Sequence, residues 1–291
     1  MGFSYPSPAA ALDNAPAGRR RIRNTMESAP LPFRFIMLRT PRNRNTLAVL
    51  HRIVRQSGVP GVSPEIADDC PHDLSSRDIL AFSFTTIDID EVQKKLRKFN
   101  PGEGPLRIAG GPHPGADPEG CLAMGFDAVF AGEAEHTLPE FLRLWVQSPQ
   151  RETVQPLWVP ENPCDLDASP HADAQTPEFP FLEISRGCAH QCAFCQVPRL
   201  FGRRVRFRSP AVAAAGVAHA VAAGHRRIRC LTSDAFFYGG GPQDRVARAQ
   251  EAAGDAEDRQ PAHRLRPAPA VDGDRQRAAH ARVAERRALG V

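Results

Sequence analysis

The chain has 291 residues, 42% of them hydrophobic and 24% charged, with a formal net charge of +4. That length leaves room for two domains, and so small a net charge does not itself point to a nucleic acid or a membrane surface as partner. No apolar run approaches the length of a bilayer span, and seven cysteines without a secretory signal peptide argue for a reducing, cytoplasmic setting, where thiols serve metals rather than disulfides.

The first thirty residues are rich in Pro, Ala and Arg without periodicity, with Met26 as an alternative start, and residues 1–30 read as a disordered leader. The pattern then changes. Phe33 to Leu38 predicts a strand, and 46–54 a helix with apolar Leu47, Val49, Leu50 and Val54. A second strand is expected over 79–84, a Lys-rich helix over 90–99, and a strand over 107–109 that runs into Gly110-Gly111. A short helix from Pro118 to Met124 leads through Gly125 to a strand over 128–131, and 137–145 is a further helix. Strands alternating with helices at these lengths predict βαβ units on a parallel sheet across 31–148. Ligands of such sheets lie beyond the carboxyl ends of the strands. Residues 149–178, rich in Pro, Asp and Gln, read as a linker.

Phe181 to Ser185 reads as a buried strand, and it delivers Glu-Ile-Ser-Arg-Gly-Cys-Ala-His-Gln-Cys-Ala-Phe-Cys, with thiols at Cys188, Cys192 and Cys195. Thiolates are the soft ligands an iron–sulfur cubane requires, and a C-x3-C-x2-C loop can supply three of its corners. The fourth iron is then open to a substrate. A zinc site would need a fourth ligand, for which His190 and Cys164 would have to fold back. A ferredoxin-type cluster would need a fourth cysteine nearby, and Gln196-Val197-Pro198 offers none. After this loop Ser209 and Pro210 read as the N-cap and first residue of an Ala-rich helix that ends at Gly224. A strand follows over 227–232. Cys70, Cys121, Cys164 and Cys230 suit small buried hydrophobes, and the Arg runs at 19–21 and 203–204 suit solvated faces.

The cysteine loop resembles that of the radical S-adenosylmethionine (radical SAM) superfamily. The resemblance implies a [4Fe-4S] cluster whose open iron chelates S-adenosylmethionine, with Phe194 beside the adenine and an electron donor such as flavodoxin or ferredoxin. It also implies a Gly-Gly-Glu-like segment after the second barrel strand. Here that strand is followed by Ser233-Asp234 and then Tyr238-Gly239-Gly240-Gly241 without glutamate, which leaves Gly239 and Gly240 as candidates, with Ser233 and Asp234 nearer the strand end. Ser83-Phe84-Thr85 and Gly110-Gly111, with Gly132-Glu133-Ala134-Glu135 at the next strand end, are similar to the small-residue signature of cobalamin-binding domains. That likeness implies that Ser83, Thr85, Gly110 and Gly111 line a groove for the corrin's nucleotide tail. The family's D-x-H-x-x-G loop, which supplies a histidine to cobalt, reads Thr40-Pro41-Arg42-Asn43-Arg44-Asn45 here, and arginine cannot ligate cobalt. His113 reads as polar surface.

From Pro242 to Val291 there is no Lys, Ile, Phe, Tyr or Trp, an alphabet that does not build strands or a buried helix face. Residues 179–241 supply about two βα units of a partial barrel, and 242–291 is expected to be an out-of-frame or truncated end, or else a genuine disordered tail. The fold class expected is α/β: a Rossmann-like, parallel-sheet B12-binding-type domain followed by the start of a radical SAM (β/α) partial barrel. The expected function is reductive cleavage of S-adenosylmethionine at a [4Fe-4S] cluster, with cobalamin as a methyl carrier. The alternatives are a catalytically inactive corrinoid- or SAM-binding remnant and a zinc-stabilised interaction protein. The substrate is not legible, and no nucleic-acid or membrane partner is expected.

Overall fold

The structure, a computed structural model, describes residues 32–100, 102–169, 181–190, 192–235 and 238. Its first part is one parallel sheet in the order β2-β1-β3-β4-β5-β6. The strands are β1 (Phe33–Leu38), β2 (Val62–Ala67), β3 (Ile79–Ser83), β4 (Leu106–Gly110), β5 (Ala128–Phe130) and β6 (Leu157–Trp158). The helices between them are α1 (Arg44–Gln56), α2 (Ile89–Leu96), α3 (Pro112–Ala116), α4 (Pro118–Met124) and α5 (Ala134–Gln147).

Period-two alternation along each strand sends side chains to two separate cores. Phe33, Phe35 and Met37 of β1 join Ile79 and Ala81 of β3 beneath Leu47, Ile53 and Val54 of α1 and Leu138, Phe141 and Trp145 of α5. Ile36, Leu38, Leu80 and Phe82 point the other way, under Val92 and Leu96 of α2, Cys121 of α4 and Phe126. Both faces are therefore covered, as a parallel sheet requires. The order of the strands reverses at β1, whose neighbours are β2 and β3, and a crevice for ligands is expected outside that switch point.

Cys121 packs where a small apolar side chain fits, and burial pushes its thiol up to about 12, with the Asp117 carboxylate adding to the shift. Residues 151–169, expected as part of a linker, are built into the fold instead. A 3-10 turn at Arg151–Thr153 precedes β6, which pairs with β5 and extends the sheet by one strand.

The second part begins at β7 (Phe181–Glu183), with β8 (Ser185–Arg186), α6 (Val197–Phe201), β9 (Arg206–Phe207), α7 (Pro210–Ala222) and β10 (Arg229–Leu231). The single strand expected over 181–185 is divided at Ile184. Its first half pairs parallel with β10 and its second antiparallel with β9. Ser209 caps α7 as expected, its side chain accepting from the Val212 amide at 3.3 Å. The pair β7–α7–β10 is one βα unit and the opening of the next. None of α7's residues is buried. Gly239, Gly240, the leader and the segment 239–291 lie outside the described residues.

Candidate functional site

Two surfaces meet at the carboxyl ends of the sheet. The first is the switch point itself. Asn43 sits there buried, its amide nitrogen donating to the carbonyls of Leu38 and Ser83, each at 2.9 Å, while its oxygen accepts from the Thr40 amide at 2.8 Å. One side chain thus ties the ends of β1 and β3 together. Arg42 of the same loop reaches Asp88 at 2.7 Å, so the loop that carries a cobalt-binding histidine in the resembled family is held here by an ion pair.

Burial raises the Asp88 carboxyl, but the Thr85 hydroxyl and amide and the Arg42 guanidinium outweigh it and hold the group below the ordinary carboxylate range. Thr85 is accordingly engaged, its hydroxyl donating to Asp88 at 2.7 Å. Gly111 has φ of 96°, and a Cβ there would lie 2.9 Å from Ser83 Oγ and 3.0 Å from the Phe84 amide nitrogen. Ser83 and Gly111 therefore meet face to face across β3 and β4. Gly110 differs, because a Cβ there would make only ordinary contact with Phe130 at 3.7 Å. A small cavity lies beside Ser83, lined by Leu38, Thr40, Phe84, Val92 and Lys95. His113 packs nearby, its Nδ1 3.2 Å from Thr86 Oγ1 and its ring 5.5 Å from that of Phe84.

The second surface is the cysteine loop. Arg186 ends β8 and Gly187 turns the chain with φ of 88°, where a Cβ would meet the Arg204 carbonyl oxygen at 2.3 Å. Cys188 is buried and donates its amide to Gly202 at 3.2 Å, whereas Cys192 is exposed and Cys195 half-buried. The Cys195 amide donates to the Cys192 carbonyl at 3.0 Å, a tight turn that starts the chain toward α6. Phe194 is 91% exposed, an aromatic face open to a planar ligand. Next to Cys188 a small cavity is lined by His190, Val205, Ser233 and Asp234, so the end of β10 does reach the cysteine loop. His190 lies 3.3 Å from the Asp234 carboxylate. All three thiols are free, and three thiols on one loop, at least one of them open to solvent, suit a cubane cluster's donor set.

Two contacts bring the surfaces together. Leu200 of α6 seats against Gly115, where a Cβ would lie 2.6 Å from its Cδ2. Gly132, after β5, packs against Pro160 and faces the Leu200 carbonyl at 3.8 Å from its own Cβ position. The helix that follows the cysteines is thereby docked on the ends of β4 and β5.

Deeper in the junction lie residues that the sequence reading did not join. Glu133 accepts from Arg206 and from the Cys164 amide, the latter at 2.6 Å, and Glu135 accepts from Arg186 at 2.7 Å. Burial disfavours the charge on Glu133, but the Arg206 hydrogen bond, the Cys164 amide and the Arg186 charge prevail and lower its pKa. Burial likewise works against the Arg186 charge, and its bonds to Glu183 with the Glu135 charge more than offset it. The Cys164 thiol, 3.2 Å from Arg186 Nη1, is pushed up by burial and by Glu135. Glu133, Glu135 and Cys164 offer ligand atoms within 4.8 Å of one another, but two guanidinium groups already supply their positive charge. Cys164 and His190, the two candidates for a fourth zinc ligand, are thus held by Arg186 and Asp234 respectively. No single spacing could have joined Glu133 to Arg206, which lie 73 residues apart.

No protein-family model matches the chain. Over 113 residues it is 32% identical to tRNA-2-methylthio-N(6)-dimethylallyladenosine synthase of Geobacter metallireducens, a match covering 39% of this chain and 25% of that protein. Over 171 residues it is 27% identical to an uncharacterized methyltransferase of Synechocystis, covering 55% of this chain and 30% of the relative. The match thus spans less than a third of the length of either relative. Among solved structures, the radical S-adenosylmethionine methyltransferase TsrM from Kitasatospora setae, with cobalamin and a [4Fe-4S] cluster bound, is similar with a TM-score of 0.51. The identity is 13%, and the likeness covers 78% of this chain and 53% of that one. It shows a shared α/β architecture built on a mostly parallel sheet.

Proposed function

We propose that the chain is a radical SAM iron–sulfur protein in which Cys188, Cys192 and Cys195 hold a [4Fe-4S] cluster beside a corrinoid carried on the sheet's carboxyl edge. The observation that carries this reading is the docking of α6 through Leu200 on Gly115 and Gly132, which sets the cysteine loop over the edge where a parallel sheet binds its ligands. The names of the relatives and of the solved neighbour support the same direction: one relative is a methyltransferase by name, the other a synthase of a methylthio-modified adenosine, and TsrM, a methyltransferase, carries both cofactors.

When bound, the cluster would supply one electron to S-adenosylmethionine and so yield a 5′-deoxyadenosyl radical, the hard chemistry that the protein itself need not perform. The chain's own residues orient and enclose. Phe194 offers a stacking face for the adenine. Ser233 and Asp234, beside Cys188, are placed to hold the polar end of the same ligand, with Gly239 and Gly240 as further candidates. At the sheet edge Ser83, Thr85, Gly110 and Gly111 present small groups to a corrin, and the Thr40–Asn45 loop offers cobalt no histidine, with Arg42 unable to take its place. Asn43 and Arg42 keep that loop closed on the sheet. The corrinoid would therefore be held without a histidine ligand from that loop, with methyl transfer as the reaction class and a flavodoxin or ferredoxin as the electron source.

The test is release of 5′-deoxyadenosine from S-adenosylmethionine by anaerobically reconstituted protein under dithionite. The proposal expects release that is abolished in Cys192→Ala. No release from protein that carries a full cluster would count against cleavage at this site.

A further inference from the structure

The cysteine loop leaves a two-stranded ribbon that carries an unfavourable pair. Arg186 of β8 stands opposite Arg206 of β9 in the antiparallel register, and like charges so placed repel. Both are largely inside the protein, their side chains 8% and 15% exposed, together with Glu133 at 4% and Glu135 at 9%. A buried guanidinium is tolerated when paired and is costly when its partner is removed.

The balancing carboxylates come mainly from the other part of the molecule. Arg206 donates through both terminal nitrogens to Glu133, Nη1 at 3.1 Å, and Nη1 also reaches the Cys164 carbonyl at 2.7 Å. Arg186 Nη1 donates to Glu135 at 2.7 Å and lies 3.6 Å from Glu133. Its remaining donors are taken by Glu183, at 2.9 and 2.6 Å. Gly187 and Cys188 follow Arg186 directly, and the Cys188 amide bonds back to Gly202 at 3.2 Å.

We propose that Glu133 and Glu135 are positioning residues for the cluster: by balancing Arg186 and Arg206 from the end of β5, they fix the ribbon from which Cys188 departs. The thiol loop then takes its iron-binding shape only while docked on the parallel-sheet domain. This rests on the cluster assigned above to Cys188, Cys192 and Cys195. It adds that the sheet domain builds the cluster site as well as facing it.

The test uses the full chain with Glu133→Gln and Glu135→Gln, which keep side-chain shape and remove charge. In the iron-free proteins, hydrogen exchange is followed over 185–190 and 204–208, with 106–110 as an internal control. The expected result is at least tenfold faster exchange on the ribbon, with the control strand unchanged. If Glu133→Gln fails to fold, Glu135→Gln, whose carboxylate receives one arginine bond rather than two, gives the same comparison. After reconstitution the variants are expected to bind less iron. The cluster that remains should show a midpoint potential shifted upward, because an uncompensated guanidinium favours the more negative, reduced form. Arg206→Lys should stay nearer the wild type in both readouts than Arg206→Met. Wild-type exchange in both glutamine variants would overturn the proposal, and so would fast exchange with an unmoved potential. Should the wild type take up no iron, the cluster assignment fails, while the iron-free exchange comparison still decides whether the carboxylates set the ribbon.

Discussion

Gly187 and Arg204 are fitted at glycine's own radius: a Cβ on Gly187 would stand 2.3 Å from the Arg204 carbonyl oxygen, and its φ is 88°. Gly187→Ala therefore faces both a left-handed backbone, costing about 1–2 kcal/mol, and a displacement of β9. The expected outcome is a severalfold loss of iron per chain after reconstitution. The melting of the parallel-sheet domain, which does not include this turn, should change little. Iron analysis and thermal unfolding of the same preparation check both parts.

Asn43 is a structural tie between the ends of β1 and β3. Asn43→Asp substitutes an acceptor for the donor between the Leu38 and Ser83 carbonyls, leaving two buried acceptors unpaired and facing a carboxylate. Each orphaned group costs about 1–3 kcal/mol, so the variant should lose about 2–6 kcal/mol in denaturant unfolding. Asn43→Ala, which orphans the same carbonyls without adding charge, should lose less than Asn43→Asp.

In the six-stranded sheet, the strands that were legible are those with both faces buried. β1, β3, β4 and β5 are apolar runs because helices cover each side, and the Ser209-Pro210 start of α7 was written in cap chemistry. β2 was not legible: its Val-Ser-Pro-Glu-Ile-Ala run lies at the sheet edge, half-buried and interrupted by Pro64, which an edge strand tolerates. β6 is two residues long, too short for any periodicity. In the site, the cysteines announce themselves by spacing. The ion pairs of Glu133 with Arg206 and of Glu135 with Arg186 join segments far apart in the chain, and only folding brings them together. Gly132-Glu133-Ala134-Glu135 stood out as a motif, but nothing in it named its partners.

Acid should weaken the fold through carboxylates whose folded pKa lies below its unfolded value. Asp78, buried but bonded by the Ser75 and Arg34 amides, Asp88 and Glu133 are all lowered. Such groups contribute stability that is fully present above the unfolded value, about 4 for these side chains, and that fades as pH falls through the folded one. Unfolding free energy measured from pH 7 downward should hold until about pH 5 and then fall. In Asp88→Asn, which cannot titrate, the curve should start lower and fall less steeply.

Thiol chemistry should separate the seven cysteines. In iron-free folded protein at pH 8, iodoacetamide should label the exposed Cys192 and Cys230 quickly. It should leave Cys121 and Cys164, buried and with raised pKa values, unmodified. Loading the cluster should protect Cys192 and leave Cys230 reactive. Mass mapping of the labelled peptides reads all four sites together.

The most direct test of the account is electron paramagnetic resonance of the chain after anaerobic reconstitution with iron and sulfide and reduction, recorded with and without S-adenosylmethionine. The account predicts a [4Fe-4S]⁺ signal that is lost in Cys188→Ala and that changes when S-adenosylmethionine is added, because one iron has no protein ligand. A cluster signal indifferent to S-adenosylmethionine, or no cluster in protein shown to be folded, would contradict it.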